Sequence, residues 1–287
     1  MENINTNKYM ENLSFNELMQ QAPKEQVEAW YNCASRLDEE YTAAHKEELR
    51  AQKKLVCFDL DGTLSNHRSP IPPANRATLQ KICDKYQTAM VGAGNAPRIY
   101  GQMEQFPIDI IGNYGMQIAE VADGELKIVK ELYSEIDKDF FTEQCDYLRK
   151  KYGYTEFAGD SVEFHASGMA TFALLGTKAD RDDKIAFDPD RSKRRVMYEE
   201  VCDIFKEYTV YIGGSSSFDI AGKRFNKYDA VLDYAHEKGF TKEQILFVGD
   251  DMGDGGGDSH IRLGGIDYIH ILDYTRLPEI LSFLIEE

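Results

Sequence analysis

The chain has 287 residues, 42% of them hydrophobic, and its 33 Lys and Arg against 50 Asp and Glu give a formal net charge of −17 at pH 7. This acidity argues against a nucleic-acid partner, because phosphate backbones are bound by basic surfaces. It is compatible with a small phosphorylated substrate, provided that a metal ion and a few cationic side chains neutralise the phosphate. No apolar run approaches the roughly 18 residues of a membrane span, so we expect no membrane partner.

The first residues, MENINTNKYMENL, are polar and lack the apolar core of an export signal. The five cysteines are scattered without CxxC spacing, which is typical of reduced thiols and not of a disulfide framework or a zinc site. They are Cys33, Cys57, Cys83, Cys145 and Cys202. Together these features predict a cytoplasmic location.

Residues 1–53 are rich in Glu, Gln, Lys and Ala, with apolar residues at loosely helical spacing. This pattern predicts an N-terminal helical extension of two or three amphipathic helices. The extension would either pack on the main domain or act as a dimerisation arm, so a homodimer is possible.

An apolar strand follows at 55–58, and it runs directly into Asp59, Leu60, Asp61 and Gly62. Carboxylates at positions i and i+2 point the same way from the end of a strand. Ligands bind at that edge of open α/β sheets. The pattern therefore favours a carboxylate nucleophile with an acid/base partner over a plain Asp-Gly turn.

Helices and strands then alternate as in a parallel sheet. A helix is predicted up to about residue 86, a second strand at 88–91 and a third at 108–111. The second strand ends in Gly92-Ala93-Gly94-Asn95, a glycine-rich turn that can present backbone N–H groups to an anion, although an ordinary strand-to-helix turn looks the same.

After Gly115 the pattern changes to hairpins and helices, starting with strands at 116–121 and 126–129 around Asp123-Gly124. We therefore predict an inserted α+β domain at 116–223 and a catalytic core at 54–115 and 224–287. The core resumes with a helix at 226–238 and an apolar strand at 245–248 that ends in Gly249-Asp250-Asp251. The predicted fold class is α/β, with a Rossmann-like doubly wound parallel sheet in the core.

Neighbouring parallel strands would bring Asp59, Asp61, Asp250 and Asp251 to one edge of the sheet. Such a group of carboxylates requires a cation, and ligand oxygens favour a hard ion such as Mg²⁺. Lys227, at the start of a helix, would add positive charge against a phosphoryl group.

These motifs resemble those of the haloacid dehalogenase superfamily of phosphotransferases over about residues 54–287. The resemblance implies that Asp59 attacks phosphorus and forms an aspartyl-phosphate, and that Asp61 protonates the leaving oxygen and then deprotonates water. It also implies that Mg²⁺ is held by the Asp59 and Asp250 carboxylates and by the backbone carbonyl of Asp61. The family's second motif supplies a Ser or Thr to the phosphate, but here that place is Gly94, so only backbone N–H groups or a neighbour such as Asn95 would stand in.

The inserted domain is similar to that of the eukaryotic-type phosphomannomutases. Val162-Glu163-Phe164, Gly168-Met169 and Ile212 to Asp219 match segments of their cap, and Gly255 to Asp258 resembles their GGND run. This similarity implies that Ser217 and Asp219 contact the sugar and that Arg68 is a substrate contact in the core. At the positions of three cap arginines the chain has His165, Thr177 and Lys184, of which His165 and Lys184 are candidate substrate contacts.

Three functions follow from these residues. The first is a Mg²⁺-dependent phosphatase acting on a small phosphorylated metabolite such as a sugar phosphate, because the Asp59/Asp61 pair is intact while the cap has lost arginines. The second is a hexose-phosphate mutase, which must also hold the remote phosphate, a task suited to bidentate Arg. The third is a degenerate member that binds a phosphosugar or a partner without turnover, since Gly94 replaces a hydroxyl.

Overall fold

The computed structural model of the chain describes residues 35–189, 191–253 and 255–286. The helices predicted before residue 35 lie outside the described residues. Among the described helices, none is long and apolar enough to cross a membrane.

The elements follow in chain order. The first group is α1 (Glu39–Ala44), α2 (Lys46–Gln52), β1 (Leu55–Phe58), α3 (Pro73–Cys83), β2 (Gln87–Val91), α4 (Ala96–Gln102), β3 (Asp109–Gly112), β4 (Gln117–Ala122) and β5 (Glu125–Glu131). The second is α5 (Lys138–Tyr152), β6 (Val162–Phe164), β7 (Ala170–Ala173), α6 (Arg181–Phe187), α7 (Ser192–Ile204), β8 (Tyr208–Tyr211) and β9 (Ser217–Gly222). The third is α8 (Lys227–Glu237), β10 (Ile245–Gly249), α9 (Ser259–Gly264), β11 (Tyr268–His270), α10 (Leu277–Ile280) and α11 (Ser282–Ile285).

The chain divides into two compact units. The described part of the larger unit comprises residues 35–132, 225–252 and 258–286, and that of the smaller unit comprises 133–189, 191–224, 253 and 255–257.

The larger unit contains a seven-stranded sheet in the order β11-β10-β1-β2-β3-β4-β5. The strands from β11 to β3 pair in parallel, and β1 lies between β10 and β2, with Phe58 opposite both Val248 and Met90. The α/β fold class with its parallel sheet is thus confirmed.

All four residues of β1 are buried, because both faces of the sheet are covered. Successive side chains point to opposite faces of a strand. Val56 and Phe58 accordingly pack in one hydrophobic cluster, while Leu55 and Cys57 pack in another. This burial holds the carboxyl end of β1 in a fixed position.

The β4–β5 hairpin extends the larger sheet, because β4 pairs antiparallel with β3. Its turn has positive φ at Asp123 (54°) and Gly124 (78°), as a two-residue hairpin loop requires. The placement of this hairpin in the inserted domain was therefore wrong. Its sequence specifies the turn but not the strand edge with which it pairs, and the described part of the smaller unit begins at Tyr133.

The smaller unit contains a four-stranded antiparallel sheet in the order β6-β7-β9-β8. Phe172 lies opposite Phe218, and both are buried in one cluster with residues of α5 and α7. Thr171 lies opposite Asp219, so the other face of the sheet carries polar side chains. This unit has the antiparallel α+β architecture that the hairpin pattern predicts.

Candidate active site

Asp59 lies directly beyond β1, where its backbone N–H donates to the Val248 carbonyl of β10 at 2.8 Å. The turn that follows packs closely on the end of β10. A Cβ at Gly62, where φ is +93°, would lie 2.6 Å from Cγ of Asp250. Glycine at position 62 therefore permits both the left-handed turn and the close approach of Asp250.

Lys227 is the first residue of α8, which is capped by the Asn226 side chain. Its ammonium group is buried and donates to Asp59 Oδ1 at 2.5 Å and to Asp258 Oδ1 at 2.7 Å. Burial lowers the pKa of Lys227, but Asp258 and Asp59 more than offset this effect and raise the pKa above its ordinary value. The predicted proximity of Lys227 to Asp59 is present in the structure.

Oxygen atoms of Asp59, Asp250 and Asp258 lie within 4.8 Å of one another. Burial raises the pKa of Asp59 to about 7, with the Lys227 ammonium opposing the shift. Burial, together with the charges of Asp59, Asp251 and Asp258, raises the pKa of Asp250 as well. Three carboxylates against one ammonium leave an excess of negative charge that a cation would neutralise.

The donor set fits a hard divalent ion such as Mg²⁺ because all of its ligand atoms are oxygens. Asp258 Oδ1 accepts from Lys227, and Oδ2 accepts from the Asp251 N–H at 3.0 Å. Asp250 Oδ1 accepts only from the Thr63 hydroxyl among the described residues, at 3.0 Å. We therefore expect Asp59 and Asp250 to be the ligating carboxylates, with Asp258 holding Lys227 in place.

Asp61 lies near α4 and has its own set of donors. Its Oδ1 accepts from Gln102 Nε2 and from the Arg68 N–H, both at 2.7 Å, and Arg98 Nη2 is 3.5 Å from Oδ2. Burial raises the pKa of Asp61, but these hydrogen bonds and the Arg98 charge more than offset it and lower the pKa. Arg68 thus contacts Asp61 through its backbone, where φ is 53°.

The turn after β2 contains Gly94 and Asn95. The Asn95 side chain caps α4 by accepting from the Arg98 N–H at 2.9 Å. Its amide oxygen therefore serves the helix, and phosphate binding by Gly94 and Asn95 stays a prediction.

The predicted sugar contacts lie in the smaller unit. His165 Nε2 is 2.9 Å from the Thr171 hydroxyl, which donates to Asp219 Oδ1 at 2.9 Å. Burial raises the pKa of Asp219, and the Thr171 hydrogen bond partly opposes this shift. Ser217 Oγ donates to the Gly213 carbonyl at 3.1 Å. Lys184 Nζ donates to the Thr177 carbonyl at 3.0 Å.

Sequence reasoning missed Arg194 of α7. Its buried guanidinium donates to Asp188 Oδ2 and to the Gly213 carbonyl at 2.7 Å, and to the Ser217 carbonyl at 3.1 Å. The helix start Ser192-Lys193-Arg194-Arg195 has the composition of a solvated surface, so no local signal identified this contact. Gln102 and Arg98 were also missed, because their polar side chains have the composition of a solvated surface.

The model of the haloacid dehalogenase-like hydrolases matches residues 56–255. The phosphomannomutase of Schizosaccharomyces pombe is 27% identical over 228 residues, which cover 75% of this chain and 87% of that protein. The phosphomannomutase of Saccharomyces cerevisiae is 25% identical over 231 residues, covering 76% and 87%. Both resemblances inferred from the motifs are confirmed.

Solved structures show the same fold. The N-terminally truncated IMP-nucleotidase of Plasmodium falciparum matches with a TM-score of 0.59 and 14% identity, over 95% of this chain and 80% of that one. A structure from Eubacterium rectale matches with a TM-score of 0.52 and 12% identity, over 81% and 98%. At these identities the similarity concerns the fold alone.

Proposed function

Since this chain belongs to the haloacid dehalogenase-like hydrolase family, we propose that it is a Mg²⁺-dependent phosphatase of a small phosphorylated metabolite, namely a sugar phosphate. One observation carries the proposal. The buried carboxylate of Asp59 lies at a strand end, 2.5 Å from a lysine ammonium and within a cluster of three carboxylates. Such a carboxylate is fixed in place for attack on phosphorus.

In the proposed reaction, an Asp59 oxygen attacks phosphorus and the bond from phosphorus to the leaving oxygen breaks. Asp61 donates a proton to that oxygen and then accepts one from water, which attacks the aspartyl-phosphate and releases phosphate. Because the pKa of Asp61 is lowered, Asp61 is ionised when the substrate binds, so it first takes the proton of the substrate monoanion and then passes that proton to the leaving oxygen. Lys227 keeps Asp59 oriented, and Mg²⁺ held by Asp59 and Asp250 would neutralise charge on the phosphoryl group.

Water is favoured as the acceptor because the smaller unit offers little for a second phosphate. Lys184 donates to a carbonyl of its own unit, and His165 contacts the Thr171 hydroxyl. Thr177 contributes no charge. We propose that Ser217 and Asp219 contact the leaving group, and that Arg68 contacts the substrate from the larger unit.

A hexose-phosphate mutase is the second candidate, supported by the 27% identity to the Schizosaccharomyces pombe phosphomannomutase over 87% of that protein. A mutase would transfer the phosphoryl group back to a sugar instead of to water. The site in the larger unit serves either reaction equally well.

A product-resolved assay distinguishes these functions. The full chain is incubated with Mg²⁺ and the 1- and 6-phosphates of mannose and glucose, with and without catalytic amounts of the bisphosphate. We expect phosphate release without isomerised sugar. Isomer formation stimulated by the bisphosphate would establish the mutase instead, and the absence of both products would remove the phosphatase proposal.

A further inference from the structure

We propose that the guanidinium of Arg98 binds the transferring phosphoryl group and replaces the hydroxyl that Gly94 lacks. This inference rests on the proposed function and adds a residue that motif comparison did not identify. It is carried by the space around Gly94, the weak contacts of Arg98 and the charge of the surrounding side chains.

Arg98 lies in the first turn of α4, with its backbone N–H held by the Asn95 cap. From there its side chain extends back over the turn after β2. A Cβ built on Gly94 would lie 2.6 Å from Arg98 Nη2 and 2.8 Å from Cζ. A serine or threonine at position 94 would therefore overlap the guanidinium.

The backbone at position 94 does not itself demand glycine. Gly94 is not among the glycines with positive φ, so a residue with a side chain could adopt its conformation. Glycine at position 94 instead leaves room for the Arg98 guanidinium in the position that it occupies. Gly94 and Arg98 consequently form a complementary pair in which a cation takes the position of a neutral hydroxyl.

The contacts of Arg98 leave donors for a ligand. Nη2 is 3.5 Å from Asp61 Oδ2, a long contact, and Nη1 donates to Gln102 Oε1 at 3.2 Å. Asp61 already accepts two hydrogen bonds of 2.7 Å on its other oxygen. A guanidinium carries five N–H donors, and the Arg98 side chain is 40% exposed.

The charge of the site also favours a cationic side chain beside Asp61. Lys227 is bound between Asp59 and Asp258 and is only 3% exposed. A phosphate that approaches Asp59 and Asp61 would meet uncompensated negative charge on the side of β2. Arginine suits this position because its planar fork binds two phosphate oxygens at once.

The test uses the full chain with Mg²⁺ and inorganic phosphate as the probe. The dissociation constant of phosphate is measured by calorimetry, and kcat/KM is measured with p-nitrophenyl phosphate. The variants are Arg98→Ala, Arg98→Lys and the double variant Gly94→Ser/Arg98→Ala. Arg276→Ala is the matched control, since Arg276 is 46% exposed and also paired with carboxylates.

We expect Arg98→Ala to weaken phosphate binding and to lower kcat/KM by about 10- to 100-fold, the range of a charge-assisted hydrogen bond. Arg98→Lys should retain part of the affinity, and Gly94→Ser/Arg98→Ala should recover part of it because a hydroxyl then occupies the free space. A purely structural role for Arg98 would not be rescued by a serine at position 94. Circular dichroism checks the folding of each variant. If Arg98→Ala does not fold, the phosphate affinity of Arg98→Lys is compared with that of the unsubstituted chain instead.

Phosphate binding by Arg98→Ala within about twofold of the unsubstituted chain would overturn the inference, as would the absence of any phosphate binding by the unsubstituted chain. Arg98-dependent phosphate binding without hydrolysis of any phosphomonoester would overturn the proposed phosphatase but not the role of Arg98. Hydrolysis that is unchanged in Arg98→Ala would overturn the role of Arg98 but not the proposed phosphatase.

Discussion

Two buried cations, Lys227 of the larger unit and Arg194 of the smaller unit, have opposite surroundings. In the larger unit, the buried ammonium of Lys227 faces the carboxylates of Asp59 and Asp258, with Asp250 close by. In the smaller unit, the buried guanidinium of Arg194 is matched by the Asp188 carboxylate and by backbone carbonyls. The first arrangement lacks positive charge, whereas the second is balanced within the unit.

This difference assigns different tasks to the two units. An excess of buried carboxylate is costly unless a cation neutralises it, and in the proposed function the larger unit therefore binds Mg²⁺ and the phosphoryl group. A buried cation that is matched by its own unit has little to offer a ligand. Arg194 therefore does not supply a second phosphate site.

The largest expected effect comes from removing one carboxylate of the cluster in the larger unit. Asp59→Asn should lower kcat for phosphate release by about 10⁴-fold, because an amide neither attacks phosphorus nor contributes a metal-binding charge. Phosphate release is measured with a saturating sugar phosphate, and Asp84→Asn, an exposed carboxylate of the same unit, is the control. Residual activity above about one part in a hundred would show that Asp59 is not the nucleophile.

The balanced pair of the smaller unit predicts a loss of stability instead. Arg194→Met leaves the Asp188 carboxylate buried without its cation, which should cost about 3–5 kcal/mol in the free energy of unfolding. Urea denaturation measures the loss. The double variant Arg194→Met/Asp188→Leu removes both charges and should recover much of it. A loss below about 1 kcal/mol for Arg194→Met would show that this guanidinium is not essential to the unit.

The sequence predicted those parts of the site that depend on local patterns. Asp59 and Asp61 follow a continuous apolar run, and Lys227 opens a helix, so their placement follows from the periodicity of the elements. Arg98 and Arg194 could not be predicted, because their partners are set by packing between segments. The Gly213 carbonyl that Arg194 contacts is 19 residues away in sequence, and Asp61 is 37 residues away from Arg98.

In the fold, too, local patterns predicted an element but not its partner. The Asp123-Gly124 turn predicted a hairpin, because the turn requires positive φ at both residues. The choice between two sheets depends on which strand edge is available, and that edge is formed by β3, a separate strand. The sequence pattern thus predicted the hairpin but assigned it to the wrong domain.

The raised pKa values of the larger unit predict a pH-dependent metal affinity. Mg²⁺ binds the ionised carboxylates, and protons compete for Asp59 below its pKa of about 7. The Mg²⁺ dissociation constant should therefore fall by at least about tenfold per pH unit between pH 5.5 and 7, because protons also compete for Asp250, whose pKa is raised as well. Calorimetry of the substrate-free chain measures this dissociation constant. Asp250→Asn, which removes one proposed ligand, should bind Mg²⁺ more weakly and serves for comparison. An affinity that is constant over this range would exclude proton competition at Asp59.

The smallest effect concerns the polar face of the smaller unit, where Thr171 donates to Asp219. Thr171→Val should lower the free energy of unfolding by about 1 kcal/mol at pH 7. The loss should shrink as the pH falls through the folded pKa of Asp219, because this hydrogen bond favours the ionised carboxylate and has less to stabilise once Asp219 is protonated.

Thr209→Val is the matched control, since the Thr209 hydroxyl donates to the Lys223 carbonyl at 3.0 Å and no titrating group is involved. Its cost should not change with pH. His165 contacts the Thr171 hydroxyl as well, so the series is repeated with His165→Asn to separate the two groups. If the losses in the free energy of unfolding depend equally on pH for Thr171→Val and Thr209→Val, Thr171 does not stabilise ionised Asp219. The contrast between the two units would then rest on Arg194 alone.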